Sequence, residues 1–286
     1  MTTVPKIKYL TNKDLLKEIH RSKNTYCYYT DKAYEDYDLI VPTLEKINIR
    51  TIAEAKRNRA SRLAKLAHEA AVLAGGKKLP AKEFEIDYKT IKKEDVVFRV
   101  MTFEHIPLAP GRKKTLKNTA DSHEKVNFPP FQHWKFDEKN NLILVGKSHW
   151  KGDLVKGEFC KEHGQMTNNL ARMFLKLCER YATRGNVRGY TYNDEMRGQA
   201  ILQLTQIGLQ FDESKSDNPF AYYTAAVTNS FVRIINIEKR NQNIRDDILE
   251  MNGMNPSWTR QNAGGSVNTA AGPVTGGTVD GGSDFD

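Results

Sequence analysis

Between Asn168 and Met251, apolar side chains recur at three- and four-residue spacing through three consecutive stretches. This periodicity limits the fold more than any other feature of the chain. "NNLARMFLKLCERYATRG" carries Leu170, Phe174, Leu177 and Tyr181 on one stripe. "TYNDEMRGQAILQLTQIGLQF" does the same through Met196, Ala200, Leu204, Ile207 and Phe211. "DNPFAYYTAAVTNSFVRIINIEKR" opens with Asn218, which can cap a helix, and Pro219, which suits the first helical position. Its stripe is read as Phe220, Val227, Phe231 and Ile235, continuing through "NQNIRDDILEM". Amphipathic helices with short connections bury such stripes against one another. The pattern predicts a helical domain over 166–252.

The preceding residues, 1–165, read as a mixed region. "YLTNKDLLKEIHRSK" is a helix capped by Thr11 or Asn12. A second helix spans 52–74 and stops at Gly75-Gly76; its charges are mostly basic, Lys56, Arg57, Arg59, Arg62 and Lys65. A solvated face is the plain reading of those charges, a phosphate-facing helix the sharper one. "EFEIDYKTIKKEDVVFRVMTF" fits helix or strand, and "PLAPGRKKTLKNTADSHEK" reads as a mobile loop. "FQHWKFDEKNNLILVGKSHW" predicts a β-hairpin turning at Asn140-Asn141, with Phe131, Trp134 and Trp150 among its aromatics. The segment 253–286 ends in a Gly-rich tail without a basic residue beyond 262, too polar to offset its ordering entropy, and is expected to be disordered. The expected fold class is therefore mainly α: a helical domain, a mixed α/β region before it and a disordered tail after it.

The formal net charge of +9 favours a polyanionic partner, nucleic acid first. Cys27, Cys160 and Cys178 are odd in number and scattered, which argues for a reducing compartment. Cys160 and His163 lack a second pair at ligand spacing, so no metal or other cofactor is expected. No apolar run suits a membrane, and "MTTVPKIKYL" has no signal-peptide core, so a cytoplasmic protein is expected. No motif of a catalytic centre is present. The acid pairs Asp194-Glu195 and Asp246-Asp247 read as helix-end or surface charge.

Two helix faces exceed what a core requires. In the second helix of the domain, Glu195, Gln199, Leu202, Gln206 and Leu209 lie off the core stripe, which suits packing or a docked partner. In the third, Tyr222, Asn229, Arg233, Asn236 and Arg240 lie opposite the stripe.

These residues carry a resemblance. "DEMRGQAILQLTQIGLQFDESKSDNPFAYYTAAVTNSFVRIINIEKR" resembles region 2 of bacterial-type sigma factors, and more narrowly the late-transcription sigma factors of T-even-type tailed phages. The motif is the helix ending in Phe211-Asp212, the Asn-Pro start, Ala221-Tyr222, and Asn229 with Phe231-Val232. "YLTNKDLLKEI" resembles that family's opening, while "NFPPFQHWKF" and "GKSHW" resemble the longer form in phages of cyanobacteria.

The resemblance implies a non-catalytic subunit in the nucleoid of a host cell. It implies docking on the clamp helices of the largest subunit of host core RNA polymerase through Glu195, Gln199, Leu202 and Gln206. It implies melting of an AT-rich late promoter element, with Tyr223 capturing a flipped adenine and Tyr222 beside it. Helical phase alone favours Tyr222. Asn229, Ser230 and Arg233 match positions that read duplex bases, and Arg240 and Arg245 fall near phosphates. The tryptophans that ordinary bacterial sigma factors carry after the capturing Tyr are Ala226 and Val227 here. The 46 residues after Arg240 are too few for a second promoter-reading domain. Of the acidic, apolar C-terminus that binds the sliding clamp in the T-even family, only Asp284-Phe285-Asp286 is left; a sliding clamp or coactivator is a further implied partner. The rival class is a basic DNA- or RNA-binding protein that needs no polymerase.

Overall fold

A computed structural model describes residues 10–73, 80–109 and 122–265. Most of the loop expected to be mobile, and the tail after Gly265, lie outside these residues. The chain divides into two compact units, Met1–Ser230 and Phe231–Asp286.

The first unit is built on a five-stranded mixed sheet. Its strands are β1 (Cys27–Tyr29), β2 (Leu39–Val41), β3 (Val97–Met101), β4 (Phe131–Phe136) and β5 (Leu142–Ser148), in the order β1-β5-β4-β3-β2. Only β2 and β3 run parallel. A separate pair, β6 (Trp150–Lys151) and β7 (Glu158–Phe159), follows. The sheet corrects the expected fold class. With about 52% helix and 13% strand the chain combines α and β and is not mainly α. The signal was weak for a physical reason. β1 and β2 have three residues each, and β3 is covered on both faces, so its buried run "VFRV" shows no alternation.

The hairpin β4–β5 turns through Asp137–Asn141, where Asn140 takes a left-handed φ of 62°. Its register shifts between His133 and Trp134, bringing His133 opposite Gly146. A Cβ on Gly146 would fall inside the Tyr29 ring of the neighbouring strand, so only glycine fits there.

Each sheet face has its own cover. Helix α2 (Ile49–Leu73) packs Ala55 and Ala60 against Val41, Phe98, Val100 and Phe136. Side chains alternate along a strand, so Val97, Arg99 and Met101 face the other way. On that face the contacts of Arg99 reach the segment that follows helix α4 (Asn193–Ile207). Helix α1 (Asn12–Asn24), capped by Thr11, joins helix α3 (Asn168–Ala182) through the α3 cap: Thr167 Oγ donates to Glu18, and its backbone N–H donates to Ser22 Oγ. The position 165/166 expected as a domain boundary therefore lies inside this unit.

Helix α5 (Pro219–Met251) begins in the first unit, which ends at Ser230. In the second unit the helix stops at a Gly253 cap with φ 70°, and helix α6 (Trp258–Gly265) follows. Asp246 is buried and accepts hydrogen bonds from the Ser257 backbone and hydroxyl at 2.8 and 2.7 Å. Arg260 pairs with Asp247 and Glu250. The acid pair 246–247 thus fastens a helix-turn-helix corner, a local role its surface-charge reading did not include.

Candidate nucleic-acid interface

Helix α5 starts as its sequence predicts. Asn218 Oδ1 accepts the Ala221 N–H at 3.1 Å, Pro219 takes the first position, and Asn12 of α1 accepts the Phe220 N–H at 3.1 Å. Val227 and Phe231 of the expected stripe are buried, but its ends differ. Tyr223, Val227, Ser230, Phe231 and Ile234 are buried, Ile235 is half-buried and Phe220 is 39% exposed. The difference is set by Tyr223. Its hydroxyl donates to the Gly208 carbonyl at 2.5 Å, and its ring packs edge-on against Phe174 with centroids 4.8 Å apart. Gly208 is required at that place, because a Cβ would meet the same Phe174 ring at 2.6 Å.

This geometry separates the expected DNA-contacting residues. Tyr223 has no exposed surface and burial raises its phenol pKa, so the ring has no face open to a base. Ser230 is buried too, its hydroxyl without a hydrogen-bond partner among the described residues. Tyr222 is half-buried, its ring packed against those of Tyr223 and Phe211 with centroids 5.3 and 5.6 Å away. Asn229, in the first unit, and Arg233, Arg240 and Arg245, in the second, are exposed. On α4, Glu195 and Gln206 are exposed, Gln199 is half-buried and Leu202 is 57% exposed, while Met196, Ala200 and Leu204 are fully buried on the other side. Leu209, grouped with the outer face in the sequence, is buried.

The basic helix and the aromatic hairpin are largely committed to the fold. Arg59 and Arg62 pair with the buried carboxylate of Asp38 at 3.4 and 2.8 Å, and Arg57 lies over the Tyr88 ring. Phe131 is buried, and the Trp150 indole donates to the Asp153 carbonyl.

Sequence reasoning missed the ionic node that fixes the connection between α4 and α5. Glu213 accepts from Lys23 Nζ and Arg99 Nη1, both at 2.9 Å, and from the Tyr37 hydroxyl at 3.2 Å. Lys23 also donates to the Phe211 carbonyl at 2.8 Å. The Arg99 guanidinium lies between the Tyr37 and Phe131 rings, and its Nε donates to His133 Nε2 at 2.9 Å. That bond makes Nε2 an acceptor, so Nδ1 carries the proton and donates to the Tyr34 carbonyl. Burial, then the Arg99 charge, drives the His133 pKa well below its ordinary value. Burial alone would raise the Glu213 pKa; the Lys23, His20 and Arg99 charges outweigh it and bring it down to about 2. Four separate pieces of sequence meet here. The local hint was Lys23, which with Arg21 in the last turn of α1 looks like ordinary C-terminal helix charge.

Among the described residues no group of three His, Cys, Asp or Glu side chains could hold a metal ion, and no helix is long and apolar enough to cross a membrane. Comparison with known proteins gives no relative: no family model matches the chain, and neither does a curated protein or a solved structure.

Proposed function

We propose that the protein is a non-catalytic specificity subunit that binds host core RNA polymerase and directs it to an AT-rich late promoter element, in the nucleoid of the host cytoplasm. One observation carries the reading: α4 buries Met196, Ala200 and Leu204 and holds Leu202 out to solvent beside Gln206 and Glu195. A singly exposed leucine is ordinary on a protein surface; what supports the reading is that Leu202 stands on the same outer face as Gln206 and Glu195, opposite the buried stripe. The resemblance to sigma region 2 assigns that face to the clamp helices of the polymerase. Tyr222 then takes the role of capturing the flipped adenine, because its neighbour is buried. Asn229 and Arg233 contact the adjoining duplex, and Arg240 and Arg245 its phosphates. Tyr223 and Ser230 leave the set of DNA contacts.

Pull-down with purified core polymerase tests the docking face. Leu202→Asp and Gln206→Glu are each expected to cut retention at least tenfold with unchanged circular dichroism. Full retention of both variants removes α4 from the account. The rival reading, a binder of DNA or RNA without polymerase, is favoured by the net charge of +9. It predicts that neither substitution matters.

A further inference from the structure

The part of α5 that lies in the second unit carries an exposed apolar seam. Ile237, Ile244, Ile248 and Met251 are 43, 47, 53 and 86% exposed, and Asn241 stands exposed in the same row. The steps through 237, 241, 244, 248 and 251 alternate four and three residues. That is the heptad repeat of a two-stranded coiled coil, with Asn241 and Ile248 at position a and Ile237, Ile244 and Met251 at position d. Singly exposed apolar residues are ordinary; a row of them along one stripe of one helix is not. The turn and helix that follow dock on another side of α5. Ser257 and Arg260 hold Gln242, Asp246, Asp247 and Glu250, which are positions b, f, g and c. Among the described residues of this unit, the fastening of α6 therefore leaves the a and d positions open.

We infer that the seam binds a second copy of this chain, with the two helices antiparallel. Charge complementarity selects both the occupant and the orientation. With Asn241 level with Ile244 of the second copy, Ile237 lies level with Ile248, so the apolar layers coincide. In this register the flanking e and g positions put Glu238 beside Arg245 and Arg240 beside Asp247, each pair made twice by symmetry. Sliding by one heptad sets like charges together: Glu238 on Glu238 and Arg240 on Arg240 in one direction, Arg245 on Arg245 and Asp247 on Asp247 in the other. A parallel pair gains Arg233 beside Glu238 but sets Arg240 against Arg245. The side chains are placed to pair. Arg240 and Arg245 make no ion pair among the described residues, Glu238 accepts from Asn241 at 3.0 Å, and Arg260 takes only Oδ1 of Asp247. Asn241, polar within the row, weakens the association and keeps it reversible. On the DNA reading above, Arg240 and Arg245 meet phosphates, so a paired chain and a duplex-bound chain exclude each other.

The test is sedimentation velocity of the full chain, free of DNA and polymerase. Two heptads make a short seam, so the concentrations run from about 5 to 500 µM. The weight-average mass is expected to rise toward that of two chains. Ile244→Asp with Ile248→Asp should hold the chain monomeric throughout, with unchanged circular dichroism because both side chains are exposed. Asn241→Leu should tighten association at least tenfold. Arg245→Glu sets like charges together at two symmetric places and should weaken association about tenfold; adding Glu238→Arg should restore it. Tighter association with Arg245→Glu is the mark of a parallel pair and overturns the inference. A chain that is monomeric at every concentration overturns it too, and if such a chain associates after removal of residues 266–286, the seam belongs to its own tail. Association that survives the isoleucine substitutions overturns it as well. With neither DNA nor polymerase present, none of these outcomes depends on whether the chain supports transcription.

Discussion

Two adjacent tyrosines have opposite physical situations. Tyr223 belongs to the core, so Tyr223→Ala is expected to destabilise the fold by about 3–5 kcal/mol, whereas Tyr223→Phe removes only the bond to Gly208, about 1 kcal/mol. Thermal melting measures both. Tyr222→Ala should leave the fold intact and reduce promoter opening about 5- to 150-fold, from stacking of about 1–3 kcal/mol. Tyr222→Phe and a pre-melted template should each restore opening, read by permanganate footprinting; no rescue by either contradicts base capture. The assignment was half legible. Helical phase favoured Tyr222 for the outer face and placed Val227 and Phe231 in the core, but it put Phe220 there in place of Tyr223, because residues three apart near a helix start fit the same face. What fixes the phase is the Gly208 carbonyl, fifteen residues away and invisible to periodicity. Glu213 is the second decisive residue. Glu213→Gln leaves Lys23 and Arg99 buried without their counter-charge and should cost about 3–5 kcal/mol in denaturant unfolding.

At the scale of elements, the helices were far more legible than the strands. The stripe of α3 coincides with buried residues, and that of α4 does so at Met196, Ala200 and Leu204 while Ile207 is half-buried, since both helices are long enough to repeat the pattern several times. The hairpin was legible through its aromatics and its Asn-Asn turn. The rest of the sheet was not, because three-residue strands cannot display a period and a strand covered on both faces has none. The elements around the sheet also bury histidines. Burial first, and then neighbouring charges, brings the His149 pKa down to about 3; burial brings that of His105 down to about 4. A histidine depressed in the folded state takes up protons more readily when unfolded. Its contribution is therefore complete above about pH 6.5 and is lost as pH falls toward 4 and 3, by up to about 1.4 kcal/mol per pH unit for each group. Glu213 adds a loss only from about pH 4.5 down to 2. The melting temperature should accordingly drop between pH 6.5 and 4, before Glu213 is protonated, and His105→Gln should make that drop shallower. A flat profile over this interval contradicts the buried neutral histidines.

At the scale of the whole molecule, the N-terminal region is more than an appendage to a helical domain. Lys23 of α1, Tyr37, and Arg99 and His133 of the sheet close around the segment that leads into α5. Excising residues 20–160 should therefore abolish cooperative unfolding, as followed by circular dichroism in denaturant. This organisation was illegible because ion pairs between residues 23, 99 and 213 leave no local signature.

The central claim is that the chain confers promoter specificity on a polymerase. Run-off transcription with purified host core enzyme and a late-promoter template tests it most directly. The account predicts a discrete transcript that requires the AT-rich element, is lost with Leu202→Asp, and is reduced with Tyr222→Ala but recovered on a pre-melted template. No promoter-dependent transcript above that of core enzyme alone, from a folded chain, contradicts it.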